Sequence, residues 1–269
     1  MNSRKRDFSV ALLITTYNRP DALHLVLSAV AAGTVMPDEV LVADDGSDDR
    51  TRTMLESFGR TAPFTLRHIW HEDDGFRVGV IRNKAIAAAE SDYIIQIDGD
   101  MLPHRRFVED HLRLARRGYF IAGGRILTDE ALTRRMIERG DIRVTMWRRG
   151  LGNRLNALRL PCLSPLFYGV HPDSFSVRSC NLAVWREDML RVNGYNEDIV
   201  GWGREDSELA LRLMNSGVKK RAAKLAALAY HLWHREASRA SLSRNDTILD
   251  EVTRRRCVRC DNGISSHLR

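Results

Sequence analysis

The chain has 269 residues, 43% of them hydrophobic, enough to bury a substantial core in one large α/β domain or two smaller ones. No stretch reaches the roughly 20 apolar residues that span a bilayer, and four cysteines, Cys162, Cys180, Cys257 and Cys260, fit reduced thiols in a cytosolic protein. The net charge of +7 has one source: residues 104–160 hold 14 Arg, no Lys and 6 Asp plus Glu, an excess of 8 that suits an anionic lipid surface, an anionic acceptor, nucleic acid or simply a solvated face.

The first six residues are basic, but the apolar run after them is short and leads into polar residues. It reads as a first strand, not a signal peptide. Residues 8–15 are nearly all apolar, as a parallel strand covered on both faces should be. Thr16-Tyr17-Asn18-Arg19 follows, and Pro20 with Asp21 opens a helix carrying Leu23, Val26, Leu27 and Val30, closed by Gly33 and Pro37. A second strand is expected over 39–43, ending in Asp44-Asp45-Gly46-Ser47-Asp48-Asp49, with a helix from Arg50 to about Phe58. A strand over 65–70, a helix over 79–89 and a strand over 93–97 come next. This alternation implies right-handed βαβ units and a mostly parallel sheet.

The strand over 93–97 delivers Asp98-Gly99-Asp100. Two carboxylates one residue apart at the carboxyl end of a strand stand where open α/β sheets bind ligands. Hard divalent cations take such oxygens together with those of a substrate phosphate. An ordinary Asp-Gly turn accounts for the same residues.

Residues 104–117 read as a helix, 120–123 as a short strand and 129–139 as another helix. Residues 140–169, with Gly150, Gly152, Pro161 and Pro165, read as a long loop beside an acceptor. Ser179-Cys180-Asn181-Leu182-Ala183-Val184 looks like a strand returning to the site. In Gly201-Trp202-Gly203-Arg204-Glu205-Asp206, the glycines let the backbone turn and present the indole, and the two acids open a helix. Acids are also favoured there by the helix dipole alone. Ala229-Tyr230-His231-Leu232-Trp233-His234 follows a last strand, and the tail after Ser243 is expected to be helical and then frayed. Cys257 and Cys260 lack a second ligand pair at zinc spacing.

Thr15-Thr16-Tyr17-Asn18-Arg19, Asp44-Asp45-Gly46-Ser47-Asp48-Asp49, Arg82-Asn83 and Asp98-Gly99-Asp100 occur in the order found in family 2 glycosyltransferases of the GT-A fold, which the first half closely resembles. His71-Glu72-Asp73-Asp74-Gly75-Phe76 with Val80-Ile81-Arg82-Asn83 is similar to bacterial chondroitin-polymerase-type transferases. The Gly-Trp-Gly-x-Glu-Asp block resembles the acceptor and base motif of β-galactosyltransferase C-terminal regions.

The resemblance implies one α/β domain over 1–269. A Rossmann-like nucleotide-binding half with a mostly parallel sheet would reach about residue 103, with an acceptor-binding half over 104–269. It implies donor contacts from Thr15, Tyr17, Arg19, Asp44, Asp73, Arg82, Asn83, Asp98 and Gly99, with Asn83 also able to hold its loop. Asp44 suits the base or ribose of the nucleotide, although an Asx turn would use it equally well. Asp98, Asp100 and His231, the last preferred to His234, would hold Mn²⁺ or Mg²⁺. Trp202, Gly203 and Glu205 would meet the acceptor, and Asp206 would be the catalytic base with Glu205 as its catalytic neighbour. Arg204 replaces a commoner small residue, which leaves the acceptor preference open.

The expected reaction is inverting transfer from a UDP-sugar to a saccharide or glycolipid in bacterial surface polysaccharide or lipopolysaccharide synthesis. The expected setting is the cytoplasm, with peripheral contact to an anionic inner-membrane face and no nucleic-acid partner. A nucleotidyltransferase would share the acids but not need residues 202–206. A non-catalytic nucleotide-sugar-binding module would keep Asp44 and Asp98 without a base.

Overall fold

The apolar run near the start of the chain forms β1 (Val10–Thr16), buried along its whole length. The structure, a computed structural model, describes residues 7–169, 174–235 and 241–268. Successive side chains of β1 enter opposite layers. Val10, Leu12 and Ile14 pack with Leu23, Val26 and Leu27 of α1 (Pro20–Ala31). Ala11 and Leu13 pack with Ile81 and Ala85 of α3 (Val78–Ala88). Helices on both faces are why this strand shows no polar alternation.

The remaining elements of the first half are β2 (Glu39–Asp44), α2 (Asp49–Gly59), β3 (Thr65–Trp70) and β4 (Tyr93–Asp98). All stand within a residue or two of where the sequence puts them. The second half adds β5 (Met101–Pro103), α4 (Phe107–Leu114), β6 (Tyr119–Gly123), β7 (Ile126–Leu127) and α5 (Glu130–Arg139). It continues with β8 (Asn181–Trp185), α6 (Arg186–Arg191), α7 (Glu205–Asn215), β9 (Lys219–Ala223), β10 (Ala229–His231) and α8 (Leu242–Arg255).

Seven strands make one sheet in the order β3-β2-β1-β4-β8-β6-β9. β3, β2, β1 and β4 are parallel, while β8 runs antiparallel to both its neighbours. The sheet therefore continues across residue 103 without a break. A second sheet, β5-β10-β7, joins three very short strands. Its register sets His231 opposite Met101, and the Leu232 amide donates to the Asp100 carbonyl at 2.8 Å. Strands of two or three residues carry no periodicity, so β5 and β7 leave no mark in the sequence.

Two expectations need correction. The helix expected over 104–117 is shorter, because the chain turns extended at Ala115. Arg117 instead lies over the Trp185 ring, 3.7 Å from its centroid. The tail is not frayed. Ile264 is fully buried against α3, its amide donates to the Asn193 carbonyl at 2.9 Å, and the Asn193 side chain donates to the Cys260 carbonyl at 2.9 Å. Gly263 permits the approach, since a Cβ there would lie 2.1 Å from that Asn193 oxygen. One isoleucine and a polar clamp, not a periodic apolar face, hold the tail.

Beneath the clamp, Glu208 and Arg212 form an ion pair with neither side chain exposed. Arg212 also donates to the carbonyls of Val192 and Gly194. Removing one member of a buried pair strands the other charge, at about 3–5 kcal/mol. Arg212→Leu should lower stability in urea by about that amount; a loss below about 1 kcal/mol would mean that water reaches Glu208.

Candidate active site

The carboxyl ends of β1 and β4 meet in register, Thr15 opposite Asp98. The Gly99 amide donates to the Thr15 carbonyl at 2.6 Å, and a Cβ on Gly99 would stand 3.0 Å from Thr16 Oγ1. Gly99 thus turns the chain sharply, sending Asp98 and Asp100 to different neighbours.

Asp98 accepts from Arg82 Nη2 at 3.0 Å. Arg82, only 4% exposed, also donates from Nε to Thr15 Oγ1 at 3.1 Å and from Nη1 to Asp206 Oδ1 at 3.5 Å. Burial opposes its charge, but the surrounding acids outweigh burial and hold it protonated. Burial pushes Asp98 up to about 6 against the pull of Arg82, with Asp100 and Asp206 adding to the rise.

Asp100 meets a separate set. Its Oδ2 accepts from Arg19 at 2.8 Å and lies 3.3 Å from His234 Nε2; its Oδ1 is 3.8 Å from His231 Nε2. Among the described residues, Asp100, His231 and His234 form the group of potential metal ligands, their ligand atoms all within 4.8 Å of one another. Of the expected ligands, Asp100 and His231 come together here and His234 joins them, while Asp98 faces Arg82. Burial, then Arg125 and His234, lower His231 to about 4, which leaves the neutral imidazole that metal binding requires.

On the β2 side, Tyr17 donates to Asp73 Oδ2 at 2.8 Å. Gly46, at φ +98°, leaves no room for a Cβ, which would lie 2.5 Å from Asp73 Cα. Asp44 is fully buried, one oxygen accepting the Ser47 amide and the other facing His68, both at 2.8 Å. It is occupied by its own turn. Asn83 is equally buried, pairs with the Tyr195 amide and carbonyl at 2.8 Å and reaches Glu197. The polar atoms of Asp44 and Asn83 all have protein partners in this structure.

Across the cleft, α8 pins the Gly201-Trp202-Gly203 turn. Asn245 donates to the Gly203 carbonyl at 2.9 Å, and Arg204 pairs with Asp246 at 2.5 Å. Arg204 has φ +80°, an unusual strain for a non-glycine residue where α7 begins. Glu205 is buried, and burial followed by Asp206 raises its carboxyl to about 7. The Asp206 side chain keeps 23% of its surface exposed, and Oδ1 accepts from Ser179 and Arg82. Ser179 and Gln96 join the cluster without a role assigned from the sequence, although Gln96 stood out as a lone polar residue inside an apolar strand; His234, there the alternative to His231, stands beside Asp100. A cavity of about 660 Å³ is lined by His24, Arg50, Thr53, Met54, Ser57, Phe58 and Thr61, none of which belongs to this cluster.

The sequence matches the family described as Glycosyl transferase family 2 over residues 11–175, and that described as N-terminal domain of galactosyltransferase over residues 167–235. It is 28% identical to validoxylamine A glucosyltransferase of Streptomyces hygroscopicus subsp. limoneus over 222 residues, 78% of this chain and 48% of that protein. It is 26% identical to chondroitin synthase of Pasteurella multocida (strain Pm70) over 253 residues, 84% of this chain and 25% of that protein. The chain thus spans about half of the first relative and a quarter of the second. The fold matches a mannosyltransferase from Pyrobaculum calidifontis, solved with GDP-Man and Mn²⁺, with a TM-score of 0.60 at 18% identity over 86% of this chain and 59% of that one. It also matches S. aureus TarS 1–349 in complex with UDP, with a TM-score of 0.63 at 14% identity over 96% and 68%.

Glu205 binds its proton more tightly folded, at about 7, than at its ordinary 4.5. Between those values the folded state holds more protons than the unfolded, so this group's contribution to stability falls as pH rises. Glu205→Gln should gain stability relative to the parent across that interval, measured by urea unfolding in a buffer series. A difference that stays constant with pH would put the carboxyl back at its ordinary value.

Proposed function

Because this chain belongs to the family 2 glycosyltransferases, we propose that it transfers a sugar from a UDP-linked donor to a saccharide or glycolipid hydroxyl, inverting the anomeric carbon. One observation carries the reading: Asp206, on the helix behind Trp202, shares a single buried guanidinium with Asp98 at the end of β4. A donor held at β4 would therefore lie beside a carboxylate that can take a proton. Asp206 would remove the proton from the acceptor hydroxyl as its oxygen attacks the anomeric carbon, opposite the departing diphosphate. Glu205, protonated below about 7, can donate a hydrogen bond to an acceptor oxygen. Trp202, 37% exposed, offers an apolar face to a sugar ring.

A divalent metal fits Asp100, His231 and His234. Asp100 Oδ1 is buried without a hydrogen-bond partner, and its two imidazole neighbours supply nitrogen ligands. Nitrogen donors favour Mn²⁺ over the harder Mg²⁺. When bound, the ion would neutralise charge on the leaving diphosphate.

The setting we propose is an anionic membrane surface. Residues 142–169 contain five Arg, no Lys and no acid. Within them Trp147, Leu155 and Leu166 are 79%, 80% and 75% exposed, while Leu151 and Ala157 anchor the segment to the protein. Arg148 pairs with Asp141 and Arg159 with Asp110, but exposed apolar side chains in a segment that carries arginines and no acid of its own match the interfacial zone of an anionic bilayer. No helix of the described residues is long and apolar enough to cross a membrane.

Asp206→Asn should bind UDP with Mn²⁺ as the parent does, by calorimetry, and lose single-turnover sugar transfer by about 10²–10⁴-fold. Asp100→Ala should lose the metal dependence of UDP binding. Parental transfer by Asp206→Asn would refute the base assignment, and release of pyrophosphate in place of nucleoside diphosphate would establish a nucleotidyltransferase.

For the surface, binding to phosphatidylglycerol-containing vesicles should fall steeply as salt is raised, because a Debye length of about 8 Å at physiological ionic strength screens exposed charge. It should weaken again in Trp147→Ser with Leu166→Ser. Equal binding to neutral phosphatidylcholine vesicles would remove the electrostatic argument.

A further inference from the structure

We infer that Ser179, Tyr195 and Gln96 form a buried chain of hydrogen-bond donors that holds Asp206 by one oxygen and leaves the other for the acceptor hydroxyl. The inference rests on the reading of Asp206 as the base.

The four residues come from four places in the chain: Gln96 from β4, Ser179 from the lead into β8, Tyr195 from beyond α6 and Asp206 from the first turn of α7. Gln96, Ser179 and Tyr195 are at most 1% exposed. Tyr195 Oη lies 2.6 Å from Ser179 Oγ and 3.0 Å from the Gln96 side-chain amide, and Ser179 Oγ contacts Asp206 Oδ1. Asp206 Oδ2 takes no hydrogen bond from a described residue.

Counting protons sets the direction. An ionised carboxylate only accepts, so Ser179 spends its one proton on Asp206. The contact between Ser179 and Tyr195 then needs the phenolic proton, and the Tyr195 oxygen is left to accept. With Oε1 of Gln96 toward Tyr195, the Gln96 nitrogen is buried and has no partner. Turning the amide over brings that nitrogen to the tyrosine oxygen, an assignment that heavy-atom positions permit equally. The carbonyl then left unpaired is better tolerated than an unpaired N–H. Every donor now points the same way, toward Oδ1.

The chain cannot carry a proton onward, because a glutamine amide takes none. It positions. It ties the base to the strand that bears Asp98, so the distance from Asp206 to a ligand at β4 is set by packing. Ser179 is therefore a positioning residue, and its effect should exist only while Asp206 is a carboxylate.

The test is a double-mutant cycle on Ser179→Ala and Asp206→Asn. The readout is nucleoside diphosphate release with Mn²⁺, using the fastest donor from a panel of UDP-, GDP- and dTDP-hexoses. Ser179→Ala should lower kcat by about 10–100-fold, as small displacements of a reacting group do, with donor KM unchanged. In the Asp206→Asn background it should have almost no effect. Tyr195→Phe, which keeps the ring, should cost less than Ser179→Ala, and Ser179→Thr should restore most of kcat. Full kcat in Ser179→Ala, or the same fold loss in both backgrounds, would overturn the anchor while leaving Asp206 as the base. Parental activity in Asp206→Asn would overturn the proposed function. A urea-unfolding cycle on the same variants reads the contact without turnover: the midpoint shifts should be non-additive, and additive shifts would overturn the anchor.

Discussion

A single buried cation organises the centre of this protein. The Arg82 guanidinium sits between β1, β4 and α7, bonded to Thr15 and Asp98, reaching Asp206, and 5.3 Å from the centroid of the Tyr195 ring. A buried charge is costly unless it is paired and hydrogen-bonded. Here the compensation comes from acids that themselves resist ionisation when buried: Asp98 is raised to about 6 and Glu205 to about 7. Without the guanidinium these carboxyls would face one another in a site that disfavours their charge. Arg82 is thus the counter-ion that allows several acids to converge on one cleft.

Around that ion the acids divide by partner. Asp98 belongs to the guanidinium, and Asp100, one glycine further on, belongs to Arg19 and the two histidines. The division follows from the turn at Gly99, where a Cβ would press on Thr16 at 3.0 Å. Under the proposed function it gives each acid one task. Asp100 and the imidazoles would suit a metal, while Asp98 and Asp206 flank the reacting groups with a cation between them.

The walls of the cleft are held by side-chain amides more than by apolar packing. Asn83 grips the backbone of Tyr195, Asn193 grips the tail, and Asn245 grips the turn at Gly203. Asn83 and Asn193 meet both donors and acceptors of irregular segments that have no ladder partner of their own, and Asn245 donates to the Val200 and Gly203 carbonyls. Asp44 and Asp45 act similarly on the loop after β2: Asp44 receives the Ser47 amide, and Asp45 meets His71 at 2.7 Å and the Arg77 amide at 3.0 Å. Irregular backbone can surround a site only if its polar groups are satisfied, and these residues satisfy them.

The sequence by itself determined the central sheet and the family. A strand covered on both faces must be apolar throughout, so β1, β2 and β4 announce themselves, as do the helices between them. Asp98, Asp100, Glu205 and Asp206 were legible because each stands at the end of such an element. Only the tertiary structure decided which of these groups meet. His234 joins Asp100 through a three-residue strand, β10, whose partners β5 and β7 are too short to leave a period. Asn83 and Asp44 were expected to contact the donor; here Asn83 bonds the Tyr195 backbone and Glu197, Asp44 holds its own turn and faces His68, and only the packed structure supplies those distant partners. Ser179 and Tyr195 are ordinary residues in sequence, and Gln96 is marked only as a lone polar residue in an apolar strand. They become a site only where β4, β8 and α7 pack together, because a hydrogen bond depends on the distance between atoms and not on their separation along the chain.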